Sequence, residues 1–392
     1  MKPHTGQEVI LASEARFKVV ACGRRFGKTE AGKLALMVHF LKGGHCWWLA
    51  PTYGMANQVW HELKQMCGRL PGLRVSEAER RMDLPGGGML AIRSTFYADR
   101  LRGAGLDLAV LDEAAFMEAA VWPEVVRPML VDRGGSALFL SSPNGRNWFW
   151  DLYQQGLEPG NRQWRSFRFT SYDNPLIAPG ELDDLAQTTP DRVWRAEYLA
   201  EFVDDEGQVF RGIREAATAP LNAQPIPGRR YIAGLDWGRQ NDFTVLVLID
   251  ADRREMVALD RFRQMSWARQ RGRLLALCER WQPAVIWAEA NSIGGPNIEA
   301  LQAEGLPVRP FTMTARSKGP LIDALALAIE KEAIALLPDE TLLNELAAYT
   351  LEPRAGGGYR YSAPSGLHDD TVIATALAWQ GVSHARVSVD FV

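Results

Sequence analysis

The sequence lacks the features that mark secreted and membrane-spanning proteins. Its 392 residues include four cysteines and no CxxC pair, so we expect neither a disulfide framework nor a zinc knuckle. Its apolar stretches, such as 321–329, are shorter than the roughly 18 residues that a membrane span needs. Residues 1–10 contain Lys2 and Glu8 and no apolar core, which does not fit a secretory signal. We expect a soluble protein of the cytosolic type.

An excess of charge of one sign is also missing. The 44 basic side chains nearly balance the 47 acidic ones, giving a formal net charge of -3. Overall charge therefore does not indicate a nucleic-acid-binding protein, and such a function needs local sites. The length predicts two or three domains at roughly 100–200 residues each. No internal repeat is visible, so we expect these domains to be unlike.

The pattern of short apolar segments divides the chain into three parts. In residues 1–202, strands that are apolar throughout alternate with helices, which predicts an α/β domain with a mostly parallel, buried sheet. Prolines cluster in residues 203–228 without sustained periodicity, which is typical of a linker. In residues 229–392, three consecutive strands precede alternating strands and helices, so a second α/β domain of different architecture is predicted.

A phosphate-binding loop is predicted where the first strand, 17–21, meets the helix 30–41. Gly27, Lys28 and Thr29 lie at this junction, where a phosphate loop needs backbone N–H groups, a lysine and a hydroxyl for Mg²⁺. The full GxxxxGK[ST] pattern is not met, because Cys22 occupies the place of the first glycine. An ordinary helix N-terminus is the alternative, but the flanking strand and helix favour a nucleotide site.

Two acidic residues follow the apolar strand 108–111. An acid at this position holds Mg²⁺ in phosphate-loop enzymes, and its neighbour polarises the attacking water, so Asp112 and Glu113 predict ATP hydrolysis. Arg100 and Arg102 precede this strand, and either a solvated loop arginine or an arginine finger fits them. The pair Ser141 and Ser142 ends the next strand, which suits a segment that senses the phosphates.

A second group of acidic residues predicts a nuclease in the second half. Asp236 and Glu289 each end a predicted strand, Asp242 lies across a turn from the first, and Asp369 and Asp370 open the last helix. Two divalent ions in a phosphodiesterase site need carboxylates that bridge and flank them. Each acid alone has an ordinary explanation, such as a helix N-cap for Asp369. Their matched positions favour a metal-dependent nuclease.

Taken together, these motifs resemble the large terminase subunit of tailed bacteriophages. The resemblance covers essentially the whole chain, and its most specific part is the pairing of a phosphate-loop ATPase with a ribonuclease H-like nuclease. The motifs occur in the order Gln7, Gly27-Lys28-Thr29, Pro51-Thr52-Tyr53, Leu111-Asp112-Glu113-Ala114, Ser141-Ser142-Pro143-Asn144, Asp236, Glu289 and His368-Asp369-Asp370.

The resemblance implies an ASCE-type P-loop ATPase domain followed by a ribonuclease H-like nuclease domain. It also implies a role for each matched residue. In the ATPase, these residues are Gln7 at the adenine, Arg24 and Gly27 in the loop, Lys28 and Thr29 at phosphate and Mg²⁺, Asp112 on the metal side, Glu113 as catalytic glutamate, Ser141 and Ser142 in the coupling motif, and Arg102, rather than Arg100, as a finger acting in trans. In the nuclease, the metal ligands are Asp236, Glu289 and either Asp369 or Asp370, with Asp369 favoured and Asp242 in support.

The resemblance further implies the cofactors and partners of a packaging motor. The cofactors are ATP with Mg²⁺ for the ATPase and two Mg²⁺ or Mn²⁺ for the nuclease. The partners are double-stranded DNA, a portal protein, a small terminase subunit and further copies in a homopentamer, with no membrane. The implied location is the host cell cytoplasm, outside the mature virion.

Two alternatives remain open from the sequence. One is a helicase or repair ATPase with a resolvase-like nuclease, which the single phosphate loop makes weaker. The other is a second domain that serves only for docking. DNA contacts are equally open, since the richest basic stretch also fits a solvated helix with internal ion pairs. It comprises Arg253, Arg254, Arg261, Arg263, Arg269, Arg271 and Arg273.

Overall fold

The architecture comes from a computed structural model that describes residues 2–203, 208–238, 242–291, 294–353, 359–363 and 368–384. The chain forms two compact units that divide close to residue 204. Within the described ranges, every helix is too short or too polar to cross a lipid bilayer.

The first unit is built on an eight-stranded sheet. Its strand order is β3-β4-β5-β2-β6-β7-β1-β8. The six strands β5, β2, β6, β7, β1 and β8 are parallel to one another. At one edge of the sheet, β3 pairs antiparallel with β4, and β4 pairs antiparallel with β5. Strands β1, β2, β6 and β7 are almost wholly buried, as expected for a sheet covered on both faces. The strands are β1 (Phe17–Cys22), β2 (His45–Ala50), β3 (Arg74–Ser76), β4 (Arg81–Asp83), β5 (Met89–Ser94), β6 (Leu108–Asp112), β7 (Ser136–Ser141) and β8 (Trp164–Phe169).

Helices cover the two faces of this sheet and enclose two apolar clusters. One cluster includes Phe17, Phe139 and Trp122, and the other includes Trp48 and Phe40. The helices are α1 (Thr5–Ala12), α2 (Lys28–Leu41), α3 (Tyr53–Cys67), α4 (Arg127–Met129), α5 (Trp148–Gln155), α6 (Pro179–Gln187) and α7 (Asp191–Glu197).

The second unit is built on a five-stranded mixed sheet of order β11-β10-β9-β12-β13. The first three strands are antiparallel neighbours, and β12 and β13 continue the sheet in parallel from β9. The elements are β9 (Tyr231–Asp236), β10 (Thr244–Asp250), β11 (Glu255–Phe262), β12 (Val285–Glu289), β13 (Val308–Phe311), the hairpin strands β14 (Thr350–Pro353) and β15 (Tyr359–Ser362), and helices α8 (Ile213–Ala216), α9 (Trp267–Trp281), α10 (Gly294–Ala303), α11 (Ala315–Glu330), α12 (Glu340–Ala348) and α13 (Asp370–His384).

Close packing brings α13 onto β9, and this positions the acids of both elements. Gly234 makes the approach possible, because a Cβ atom there would lie 2.0 Å from the carbonyl oxygen of Ala374. Asp236 ends the strand and Asp370 begins the helix, so the two carboxylates are placed at the same end of the sheet.

The proline-rich segment that suggests a linker is only partly irregular. Helix α8 lies within it, and Phe210 and Ile213 are buried in the apolar cluster of the second unit. Prolines thus interrupt the periodicity of a segment whose apolar side chains still join a core.

All four cysteines are buried and free: Cys22, Cys46, Cys67 and Cys278. Burial raises the pKa of each thiol, to about 12 for Cys46 and for Cys278.

Candidate functional sites

The phosphate loop joins β1 to the N-terminus of α2. Gly27 precedes the helix in a left-handed conformation with φ of 99°, and Lys28 is the first helical residue. Thr29 follows in the first turn and is half-buried. The free N–H groups of this helix end therefore lie beside a lysine and a hydroxyl, which is an arrangement suited to binding the phosphates of a nucleotide.

Residues from distant parts of the chain hold this loop. The Gln7 side chain donates to the Gly27 carbonyl oxygen at 2.8 Å and accepts from the His4 N–H at 3.0 Å. Both ends of its amide therefore bind the protein, whereas the resemblance implies a contact with adenine. On the other side, Ser171 Oγ donates to the Arg24 carbonyl oxygen at 2.6 Å, and Asn174 Nδ2 donates to that of Arg25 at 2.6 Å.

Arg24 itself is anchored away from the helix end. Its Nε donates to Glu197 Oε2 at 2.8 Å, and this hydrogen bond raises the pKa of the guanidinium. The arginine side chain is 60% exposed, whereas that of Glu197 is 11% exposed. Arg24 thus retains access to an anion while its backbone stays fixed.

Asp112, Glu113 and Ser141 are brought to the phosphate loop by the strand order. Strand β7 lies between β1 and β6, so all three residues lie at the same carboxyl edge of the sheet. Lys28 Nζ lies 3.1 Å from Glu113 Oε1, and Ser141 Oγ lies 3.5 Å from Glu113 Oε2. Glu113 has a φ of 55°, an unusual conformation for a residue with a side chain and one often found at functional sites.

The electrostatics of Asp112 fit a bound cation. The residue is 8% exposed, and its Oδ1 atom has no hydrogen-bond partner among the described residues. Burial and the charge of Glu113 raise the pKa of Asp112 to about 7, against the opposing effect of Lys28. Burial alone would lower the pKa of Lys28, but Glu113 and Asp112 outweigh it and raise the value. Asp112 and Thr29 therefore suit the Mg²⁺ of a nucleotide.

The remaining predicted ATPase residues differ in burial. Ser142 is 2% exposed at the end of β7, next to Ser141. Arg102 is exposed, and its Nη2 lies 3.0 Å from Asp99 Oδ1 and 3.8 Å from Glu124 Oε2. Arg102 therefore lies at the protein surface. Arg100 instead packs over the Tyr97 ring, with its guanidinium carbon 4.9 Å from the ring centroid.

The predicted nuclease acids line one cavity of about 260 Å³ in the second unit. They come from the ends of β9 and β12, from the loop before β10 and from the start of α13. The acids are Asp236, Asp242, Glu289, Asp369 and Asp370, and Lys318 and His368 line the same cavity.

Burial and mutual repulsion act on these acids. Burial, a hydrogen bond with Glu289 and the charges of Glu289, Asp370 and Asp369 raise the pKa of Asp236 well above its ordinary value. Burial raises the pKa of Asp370 to about 6, although a hydrogen bond from the Phe243 N–H partly opposes it. Such carboxylates favour a proton or a cation in their midst.

Asp369 and Asp370 have different partners. Lys318 Nζ lies 3.4 Å from Asp369 Oδ2, whereas Asp370 Oδ2 accepts from the Phe243 N–H at 3.3 Å and lies 3.5 Å from His368 Nδ1. No three acidic, histidine or cysteine side chains within the described ranges are already grouped as a metal-ligand set. The donor types fit divalent cations, and one of the oxygens, Asp369 Oδ2, is paired with Lys318.

Three of the seven arginines in the basic stretch of the second unit form ion pairs within the protein. Ion pairs link Arg253 to Glu255, Arg261 to Glu345 and Arg273 to Asp260. Arg269 is exposed on α9. The sequence left open whether these arginines contact DNA or form internal ion pairs, and three of them form internal ion pairs.

Sequence reasoning missed several residues at both sites. Ser171, Asn174 and Glu197 support the phosphate loop from more than 140 residues away. In the second unit, Lys318 lines the nuclease cavity, and Glu345 accepts a hydrogen bond from the Thr371 N–H beside it. The signal in the sequence that could have identified Lys318 and Glu345 is a charged residue among the apolar residues of α11 and α12.

Family models of known proteins match both units of the chain. The family model for the N-terminal part of the T4likevirus-type terminase large subunit matches residues 20–217, and that of the terminase RNaseH-like domain matches residues 233–380. The large terminase subunit of Thermus virus P23-45 is 31% identical over 425 residues, covering 96% of this chain and 87% of the relative.

One solved structure shows the same fold over nearly the whole chain. The large terminase of a thermophilic bacteriophage superposes with a TM-score of 0.63 at 17% identity, covering 97% of this chain and all of that one (100%). The large terminase nuclease of Thermus phage G20c with bound magnesium is 30% identical, with a TM-score of 0.42, and covers 44% of this chain and 97% of its own.

The fold and the two sites define a class of enzyme in which a phosphate-loop ATPase and a ribonuclease H-like endonuclease share one chain. Within that class, the chain belongs to the terminase large subunit family. The predicted family and the predicted α/β fold class are thereby confirmed.

Proposed function

We propose that this chain uses ATP hydrolysis to drive double-stranded DNA through a portal into a procapsid and cuts concatemeric DNA when packaging starts and ends. The observation that carries the proposal is the presence of two unlike catalytic centres on one chain. The nucleotide site with Lys28 and Glu113 would hydrolyse ATP to drive translocation, and the acid-lined cavity around Asp236 would cleave DNA. An enzyme that packages DNA from a concatemer into a procapsid needs both activities.

In the ATPase centre, Glu113 is the group that accepts the proton of the attacking water. Its carboxylate pairs with Lys28 at 3.1 Å, and the phosphates of ATP compete for that ammonium group. Binding of ATP therefore frees Glu113 to act as a base. Asp112 and Thr29 would hold Mg²⁺, which would neutralise phosphate charge, and Ser141 links Glu113 to strand β7.

In the nuclease centre, two Mg²⁺ or Mn²⁺ ions would activate water and stabilise the leaving oxygen. Of the neighbouring acids, Glu289 raises the pKa of Asp236 most, and these two residues are the ones that would hold a cation together. Asp370 is buried and oriented by the Phe243 N–H, whereas Asp369 is held by Lys318. This orientation favours Asp370 over Asp369 as the third ligand, in contrast to the sequence-based preference, with Asp242 in support.

The proposal includes the partners and the place of action. The motor works as a homopentamer on the portal in the host cytoplasm, a small terminase subunit selects the DNA, and the chain leaves before the virion matures. Sequence recognition is assigned to the small subunit because no motif in this chain suggests readout of base edges.

Cleavage and packaging assays test the proposal together. We expect wild-type protein to cut supercoiled plasmid with Mg²⁺ or Mn²⁺. Asp236→Ala should lower this activity more than about 100-fold, which exceeds the loss typical for a residue that only supports a metal ligand. With procapsids, Asp236→Ala should still package linear DNA into a nuclease-protected form but fail on concatemers. Glu279→Ala, an exposed site on α9, is the matched control.

Different failures have different meanings. No cutting by folded wild-type protein with either metal would remove the nuclease role. Cutting without any ATP-dependent protection of DNA, combined with strand separation, would favour a helicase with a resolvase-like domain instead.

The trans-acting finger has its own test. Arg102→Ala should reduce ATP turnover by about 10³-fold in assembled motors, because a finger stabilises the charge of the transition state, and should leave the monomer unchanged. Steady-state hydrolysis with and without procapsids measures this. Arg100→Ala is the matched control, and an equal loss in the monomer would place Arg102 within its own active site.

A further inference from the structure

A closed ring of contacts surrounds the start of α13, outside the nuclease cavity itself. Its members come from β11, α12, α13 and the residue before β10: Arg261, Glu345, Thr371 and Phe243. Glu345 is 7% exposed and Thr371 is fully buried. The four residues connect elements that are far apart in the sequence.

Glu345 joins two of these elements. Its Oε1 accepts from Arg261 Nη2 at 2.8 Å, and its Oε2 accepts from the Thr371 backbone N–H at 2.9 Å and from Thr371 Oγ1 at 2.5 Å. A carboxylate at a helix N-terminus satisfies free N–H groups and favours the helix dipole. Here the carboxylate comes from another helix, so it fixes the start of α13 in space.

Arg261 completes the ring through Phe243. Its guanidinium carbon lies 3.3 Å from the centroid of the Phe243 ring. The Phe243 backbone N–H donates to Asp370 Oδ2 at 3.3 Å, and its ring meets that of His368 edge-on at 5.2 Å. Phe243 directly follows Asp242, so the same contact steadies two of the acids that line the cavity.

We propose that the Arg261–Glu345 pair is a positioning device for the nuclease centre. It holds the N-terminus of α13 and the Asp242–Phe243 segment at a fixed separation, so that Asp370 and Asp242 stay in the cavity where they would hold divalent cations. Neither residue touches the cavity; both act through Thr371 and Phe243. The inference rests on the proposed nuclease function and assigns outer-shell residues to it.

The physical argument is that metal affinity depends on the preorganisation of the ligands. Outer-shell partners of metal ligands typically contribute about 10–100-fold in affinity or activity. Removal of Glu345 would leave Arg261 as a poorly solvated, unpaired charge and would release the Thr371 N–H. The helix start would then move, and Asp370 with it.

The test compares Glu345→Ala, Glu345→Gln, Arg261→Ala and Arg261→Lys in the full-length chain. Titration with Mn²⁺ alone, followed by electron paramagnetic resonance without DNA, measures metal affinity independently of cleavage. We expect Glu345→Ala and Arg261→Ala to weaken Mn²⁺ binding by about tenfold or more. Glu345→Gln keeps an acceptor for Thr371, and Arg261→Lys keeps the charge, so each should retain part of the affinity.

A matched control and a second readout separate positioning from general stability. Arg273→Ala removes a bidentate pair with Asp260, which lies on the same strand β11, at 2.6 and 2.5 Å. It should leave Mn²⁺ affinity unchanged. In cleavage assays, Glu345→Gln should raise the half-saturating Mg²⁺ concentration, while the KM for DNA measured at saturating Mg²⁺ stays constant.

The outcomes distinguish this inference from the proposed function. Unchanged Mn²⁺ affinity in folded Glu345→Gln and Arg261→Lys, with wild type binding Mn²⁺, would overturn the positioning role and leave the nuclease intact. Absence of Mn²⁺ binding by wild type itself would overturn the nuclease. If the alanine variants fail to fold, the two conservative variants carry the test.

Discussion

The two catalytic centres balance their negative charge in opposite ways. In the ATPase, Lys28 of the same chain lies 3.1 Å from Glu113 and also attracts Asp112. In the nuclease, five acids line one cavity, and Lys318 is the one lysine among the described residues around them. The first site is organised before its ligand binds, whereas the second lacks positive charge that divalent ions can supply.

This difference follows from what each site binds. Nucleotide phosphates bring their own negative charge, so a fixed lysine is useful throughout the cycle. The DNA backbone is also anionic, and a cavity lined by carboxylates repels it until cations bind. On the proposed function, we expect the nuclease to depend on metal for substrate binding as well as for chemistry.

The largest expected effect tests the ATPase side of the comparison. Glu113→Gln removes the base but keeps the shape, so ATP turnover should fall by about 10²–10⁴-fold while ATP binding persists. Nucleotide-binding titrations and phosphate-release assays measure the two quantities. Glu118→Gln, exposed in the same loop region, is the control. Unchanged turnover would remove Glu113 from its role.

The next effect tests whether Lys318 substitutes for a metal. Lys318→Met removes the ammonium group that pairs with Asp369, so Mn²⁺ should bind more tightly without DNA. A partly exposed ion pair of about 1 kcal/mol corresponds to a change of about fivefold. Isothermal titration calorimetry measures this, with Lys331→Met at the exposed end of the same helix as control. Weaker binding would mean that Lys318 orients Asp369 instead of competing for it.

The smallest effect concerns stability and its dependence on pH. Burial raises the pKa of Asp236 above its unfolded value, so the folded state binds the proton more tightly. Its contribution to stability is therefore present at low pH and is lost as the pH rises through the folded-state pKa. Asp236→Asn mimics the protonated form and should stabilise metal-free protein by about 1–3 kcal/mol at pH 8.

Thermal melts from pH 4.5 to 8 measure the gain, which should shrink as the pH falls towards the acidic end of that range. Added Mg²⁺ should raise the melting temperature of wild type and leave that of Asp236→Asn nearly unchanged. A gain that is constant with pH would show that Asp236 carries no folding penalty.

Local patterns were enough to predict the elements that carry each motif. Strand β1 followed by Gly27-Lys28-Thr29, and β6 followed by Asp112 and Glu113, are contiguous signals in the chain. Helix α9 (Trp267–Trp281) is a contiguous signal of the same kind, because its apolar residues recur at helical spacing. Each of these features is formed by residues close together in the sequence, so local patterns are enough to predict it.

Tertiary partners left no such signal. Ser171 and Glu197 reach the phosphate loop only because β8 pairs with β1. Likewise, Glu345 meets Thr371 because α12 packs against α13. Phe210 is buried although prolines obscure its segment, since burial depends on the strands around it and not on its neighbours in sequence.

The four buried thiols allow local unfolding of the chain to be measured by chemical labelling. Three of them, Cys22, Cys46 and Cys67, belong to the first unit, whereas Cys278 is in the second. A buried thiol with a raised pKa reacts with an alkylating reagent only after local unfolding. Pulse labelling followed by peptide mass spectrometry would therefore follow the unfolding of motor and nuclease separately, in the native chain and without any introduced label.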